Sequence, residues 1–145
     1  MADLTTMLTT TWEGLIQGNG RMKSETVELP IAIPQSYGGT GAGSHPKELL
    51  MASAAACYVM TFAGMMGARK LPLAGVSVRS ELSDISKQTM QIVHEVSILL
   101  ASEASPEQIA SAESLIEAAD KSCMVGNLLK SAGVRVSASG KVTIS

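Results

Sequence analysis

Apolar and polar positions along the first third of the chain follow the short period of extended structure. "MLTTTWEGLIQ" is rich in Thr, Leu, Ile and Trp, and Gly18 to Gly20 supply a turn. "RMKSETVELPIAI" resumes the extended pattern, with Pro30 marking an edge or a strand end. "YGGTGAGSHP" then reads as a mobile loop, with four glycines between Gly38 and Gly43. Ser44 or His45 can cap a helix that Pro46 begins. Arg69 and Lys70 suit the C-terminus of that helix, and Pro72 follows it.

Alternation returns in "AGVSVRSELSD", through Val76, Val78 and Leu82, and in "MQIVHEVSILLA", through Ile92, His94 and Val96. The capping box Ser105-Pro-Glu-Gln108 opens a helix whose apolar stripe is Ile109, Ala112, Leu115, Ile116 and Ala119. "KSCMVGNLLKSAG" predicts a short further helix stopped by Gly133, and "VRVSASGKVTI" a closing hairpin around Ser-Gly. The order βββ-α-ββ-αα-ββ indicates an α+β fold with mainly antiparallel strands. With no internal repeat or linker, 145 residues read as a single domain, 1–145.

Composition alters this picture in three places. Hydrophobic residues make up 46% of the chain but aromatics only 3%, so Ala, aliphatic residues and nine Met must build the core. Small side chains fill little space, which calls for close approach of elements or a core shared with a second chain. The stretch 49–68 carries no charge and meets the length of a membrane span. Six of its twenty residues are Ala and two are Gly, however, which favours a helix enclosed by protein over one in a membrane. A net charge of −2 with mixed signs offers no basic stripe for nucleic acid. The N-terminal "MADLTTMLTTTWEG" has neither a basic nor a continuous apolar region of a signal segment, so the expected location is the cytoplasm. There, a cysteine pair is expected to be free, catalytic or redox-cycling.

Two cysteines carry the candidate chemistry. Cys57 lies mid-helix, with Ser53, Ala54, Met60 and Thr61 on its face; spacing alone favours a small buried hydrophobe, with a nucleophile as the alternative. Asp120 or Ser122 can cap the helix after it, leaving Cys123 in the first turn beside Lys121, where backbone N–H groups favour thiolate. An ordinary helix-start residue is the alternative. Cys57, Cys123, His45 and His94 lack zinc-ligand spacing, so no metal is expected. "GGTGAGS" lacks the ending of a phosphate loop. His94 reads as a satisfied or solvent-facing imidazole, and Glu113 and Glu117 as solvated surface.

Taken together, "HPKELLMASAAACYVM" and "CMVGNLL" resemble the OsmC/Ohr family (osmotically inducible protein C and organic hydroperoxide resistance proteins), and the likeness runs from "WEG" to the end. The second motif is similar to the family's C-P-V-x-N, with Met124 in place of Pro. The resemblance implies an intertwined homodimer in which two sheets wrap long central helices, with active sites at the interface. It implies a thiol peroxidase acting on organic hydroperoxides without a cofactor, with Cys57 as nucleophile and Cys123 as the resolving thiol. Arg21 matches the family's thiolate-stabilising Arg. The family's Glu directly after the Pro is Lys47 here, so either Glu48 takes over as the acid that orients Arg21 or the Arg clamp is absent. A dithiol, such as a lipoyl-linked one, is the implied reductant. The alternative is a non-enzymatic scaffold on the same fold that binds an apolar ligand or senses redox state. Neither nucleic acid nor membrane is an expected partner.

Overall fold

The computed structural model of the chain describes residues 4–145, so the first three residues of the N-terminal stretch considered above lie outside it. The fold is α+β, and the described residues form two three-stranded sheets and three α-helices. It divides into two compact units, one ending at Leu49 and the other spanning Leu50–Ser145.

In the N-terminal unit, β1 (Thr9–Glu13), β2 (Asn19–Lys23) and β3 (Glu28–Ile31) form an antiparallel sheet in that order. The turn between β1 and β2 lies earlier than the glycine pair suggests. Gly14 supplies the left-handed backbone (φ 89°), Gly18 N–H donates to Leu15 O at 2.9 Å, and Asn19 and Gly20 already belong to β2. The indole Nε1 of Trp12 also donates to Leu15 O at 3.2 Å and steadies the turn. "RMKSETVELPIAI" breaks into two strands at Ser24–Val27, where Ser24 N–H meets Val27 O and Val27 N–H meets Ser24 Oγ. Pro30 sits on β3, an edge strand, as its missing N–H requires.

The helix α1 (Pro46–Ala68) starts at Pro46, and His45 Nδ1 accepts from Glu48 N–H at 3.4 Å. Its buried residues are Ala54, Tyr58, Phe62 and Met66, one stripe at i,i+4 spacing. Burial of Phe62 and Met66 contributes about 1.5–3 kcal/mol each. The expectation of a helix covered on most sides fails within a single chain, since Met60 is 72% exposed. Only one stripe of α1 meets this chain's own core. Among the described residues, α1 is the one helix long and apolar enough to cross a membrane.

In the second unit, β4 (Leu73–Ser86) and β5 (Thr89–Leu100) form a long antiparallel ribbon. Alternate residues of β5, namely Ile92, His94, Val96, Ile98 and Leu100, are buried. The helix α2 (Pro106–Ser122) begins with both halves of the Ser105–Gln108 capping box in place and lays Ala112, Leu115, Ile116 and Ala119 into the same core. After α3 (Met124–Ser131), the expected closing hairpin is a single strand, β6 (Arg135–Ile144), parallel to β5 throughout. The intervening helices provide the crossover that a parallel pair needs. Gly140 serves close approach rather than a turn, because a Cβ there would come 2.0 Å from Val96 O.

His94 is buried rather than solvent-facing. It hydrogen-bonds through Nδ1 to Ser80 Oγ at 2.7 Å and stacks on Tyr58 with ring centroids 5.1 Å apart. Burial holds its imidazole below the ordinary value of 6.5, with Asp120 opposing weakly. The unfolded chain therefore binds more protons than the native one below about pH 6.5, and stability falls as pH drops through that window. The urea midpoint should be lower at pH 5.5 than at 7.5, and His94→Gln should flatten that difference. An equal drop in the variant would remove His94 as its source.

Candidate functional site

The site is built where α2 stops and α3 starts. Cys123 takes an extended backbone (φ −74°, ψ 114°) between the two helices, and its N–H reaches back to Asp120 O at 3.4 Å. Neither Asp120 nor Ser122 caps α3. Cys123 does so itself, its Sγ accepting from Gly126 N–H at 3.4 Å. The same sulfur lies 4.0 Å from Ala54 O on α1, one turn before Cys57. Cys57 packs against the buried cluster that contains Cys123, and each thiol influences the ionisation of the other. Both are free thiols, Cys123 buried and Cys57 half-buried.

Their environments drive them in opposite directions. For Cys57 the largest single influence is burial, which raises the pKa. It is outweighed by the Val125 amide, the Cys123 thiol, the Thr61 side chain and the Met124 amide, so the thiol falls below its ordinary value of 9.0. For Cys123, burial dominates and the hydrogen bond with Cys57 adds to it, against the single Gly126 amide. The Cys123 thiol is pushed up to about 11. The expectation of an activated thiol at Cys123 is thereby corrected. Lys121 does not help it, being exposed and paired with Glu117 at 3.4 Å. The helix start favours thiolate as expected, but on the neighbouring sulfur.

Behind the thiols sits a polar group that sequence reasoning passed over except as a cap. Asp120 is buried, and its Oδ2 accepts from Lys130 Nζ at 2.9 Å while its Oδ1 has no partner among the described residues. Its sequence signal was available: Asp120 stands four residues after Ile116, on the apolar stripe of α2. Tyr58, also unremarked in the sequence, donates its hydroxyl to Ile116 O at 2.7 Å and ties α1 to α2.

The other two candidates lie in the N-terminal unit. Arg21, on β2, meets Glu28 of β3 at 3.3 Å, with both side chains exposed; Glu28 is the carboxylate that holds it. Glu48 lies in the first turn of α1. The same unit encloses an apolar hollow of about 450 Å³, lined by Trp12, Met22, Ile31, Ile33 and Leu49 among others. Among the described residues no group of three or more His, Cys, Asp or Glu is placed to hold a metal ion.

The model of the OsmC-like protein family matches residues 39–139, a span that includes both cysteines. The chain belongs to the OsmC-like family. It is 31% identical over 134 residues to the uncharacterized protein YmaD of Bacillus subtilis (strain 168), covering 90% of this chain and 89% of that one. Its fold is similar to that of an organic hydroperoxide resistance protein OsmC from Legionella pneumophila. That match has a TM-score of 0.73 and 23% identity over 97% of this chain and 99% of the other. An organic hydroperoxide resistance protein from Elizabethkingia anophelis matches with a TM-score of 0.67 and 19% identity over 99% and 100% of the two chains.

This OsmC-like chain should alkylate asymmetrically. At pH 8, iodoacetamide should modify Cys57 and spare Cys123, which is protonated to about pH 11 and buried. Peptide mass spectrometry reads the order, and modification of Cys123 first would reverse the two environments.

Proposed function

We propose that this OsmC-like protein is a thiol peroxidase that reduces organic hydroperoxides, with Cys57 as nucleophile and Cys123 as resolving thiol. The observation that supports it is the contact of two free thiols with opposite ionisation, one eased toward thiolate and its partner held protonated. The relatives' names, organic hydroperoxide resistance proteins, point the same way. The Cys57 thiolate attacks the terminal oxygen of the hydroperoxide. An S–O bond forms, the O–O bond breaks, and the alkoxide leaves as alcohol after taking a proton, giving a sulfenic acid. The Cys123 thiol then displaces water from that sulfur and forms a disulfide. A dithiol reductant, such as a lipoyl-linked one, restores both thiols by exchange. On the strength of the resemblance alone, Arg21 serves as a cation for the thiolate, with Glu48 taking over from Glu28 as its orienting acid. Such a cycle suits the reducing cytoplasm.

The active form in this reading is a homodimer. A helix that carries no charge from Leu49 to Ala68 and buries one stripe in its own chain leaves a flank of Ala, Gly and Met for a second copy. Sedimentation at micromolar concentration should give a dimer, and a folded monomer there would contradict it. A second reading, an apolar-ligand-binding or redox-sensing scaffold without turnover, is favoured by the apolar hollow of the N-terminal unit.

The two cysteines should fail differently. Cys57→Ser should consume no cumene hydroperoxide, even in the first turnover. Cys123→Ser should reduce one equivalent per subunit, accumulate a trappable sulfenic acid on Cys57, and lose sustained turnover with a dithiol. Wild type that binds but does not consume the peroxide would leave the scaffold reading.

A further inference from the structure

Cys123 is the joint between two helices. It closes α2 and opens α3 with no residue between them, so the corner those helices make decides where its sulfur points. Side chains of α3 span that corner. Lys130, in the last turn of α3, reaches back to Asp120 near the end of α2. Its Nζ donates to Asp120 Oδ2 at 2.9 Å and to the Asp120 main-chain oxygen at 3.4 Å. The same main-chain oxygen accepts from Cys123 N–H at 3.4 Å. Asn127 Nδ2 adds a second strut, donating to Lys121 O at 2.9 Å. Within this frame Cys123 Sγ lies 3.4 Å from the Gly126 nitrogen and 4.0 Å from Ala54 O, one turn before Cys57 on α1.

Asp120 is a costly residue for its place. It falls on the apolar stripe of α2, four positions after Ile116, and is only 8% exposed. A carboxylate in the last turn of a helix faces the negative end of the dipole. Its Oδ1 is buried and meets no partner among the described residues. A buried ion pair gains little over apolar residues of similar volume, so stability does not account for this one. A local rule broken at a cost points to function, and what this pair fixes is the joint. We propose that Asp120 and Lys130 form a positioning pair for Cys123, clasping α3 to α2 so that the resolving thiol is presented to Cys57.

The inference rests on the proposed pairing of the two thiols, but its test needs no peroxide. The full chain is equilibrated at pH 7 with oxidised and reduced dithiothreitol, and the Cys57–Cys123 disulfide is quantified by mass after alkylation. In that exchange the protein dithiol passes two electrons and two protons to the cyclic disulfide, which becomes the free dithiol. Asp120→Asn and Lys130→Met should each lower the equilibrium constant by about tenfold, which raises the potential by about 30 mV. A tenfold loss lies below the ~100-fold that a misplacement of about 1 Å can cost. Lys130→Arg, which keeps the cation and its donors, should hold the wild-type value. The double variant Asp120→Asn/Lys130→Met leaves no buried charge, so it folds even where a single variant does not. Its loss should equal that of either single change, as for two groups acting as one. A double variant with the wild-type constant, single losses that add, or a wild type that forms no such disulfide overturns the clasp. A lowered constant in a protein that leaves cumene hydroperoxide intact keeps the clasp and sinks the peroxidase reading. Peroxide turnover with an unmoved constant keeps the peroxidase and sinks the clasp.

Discussion

The supply of hydrogen-bond donors at the start of α3 is the constraint on which the rest of the site depends. A helix opens with amides that have no carbonyl to meet, and here two sulfurs compete for them. Cys123 is the cap, but its extended backbone puts Sγ within reach of Gly126 N–H only. One neutral-strength contact to a buried sulfur does not offset its desolvation, so the thiol stays protonated. Cys57 arrives from a different helix, and the Val125 and Met124 amides help lower its pKa. The opposite shifts of the two thiols thus come from their surroundings, since the two residue types are identical.

That geometry holds only if α1 is fixed against α2 and α3. Tyr58 follows Cys57 directly, and its ring and hydroxyl anchor α1 at two points: stacking on His94 of β5 and donating to Ile116 O of α2. Phe62 and Met66 continue the same stripe into the core. The orientation of α1 about its axis is set by these buried residues, and with it the direction of the Cys57 sulfur. Asp120 completes the frame from the other side. Its main-chain oxygen accepts from Cys123 N–H and Lys130 Nζ, while its carboxylate pairs with the same ammonium. The cost is one buried carboxylate oxygen without a partner among the described residues.

Periodicity made most of the fold legible. The i,i+4 stripe of α2, its capping box and the two-residue period of β5 depend on local rules, and each matches the structure. The errors fall where local rules are ambiguous. Ser139-Gly140 has the look of a turn, yet a glycine also permits the close strand approach that Val96 O demands, and only the partner strand decides between them. His94 was open to either environment because alternation does not say which face of a ribbon is covered. The resemblance paired Cys57 with Cys123, and the structure places them in contact. Their relative ionisation was not legible. It depends on which sulfur lies along the free amides, a matter of one residue's position at a helix cap.

The pairing of Cys57 and Cys123 also constrains how the two thiols exchange roles. Each thiol influences the ionisation of the other, the interaction lowering Cys57 as it raises Cys123. Oxidation of Cys57 to a sulfenic acid removes its anion, and with it the main electrostatic reason, apart from burial, for Cys123 to stay protonated. In the proposed cycle the resolving thiol is then released by the event it must answer. Had both sulfurs been equally activated, two anions would face each other across a buried contact before any substrate arrived. A site with one set of free amides avoids that conflict, because it can stabilise one thiolate at a time.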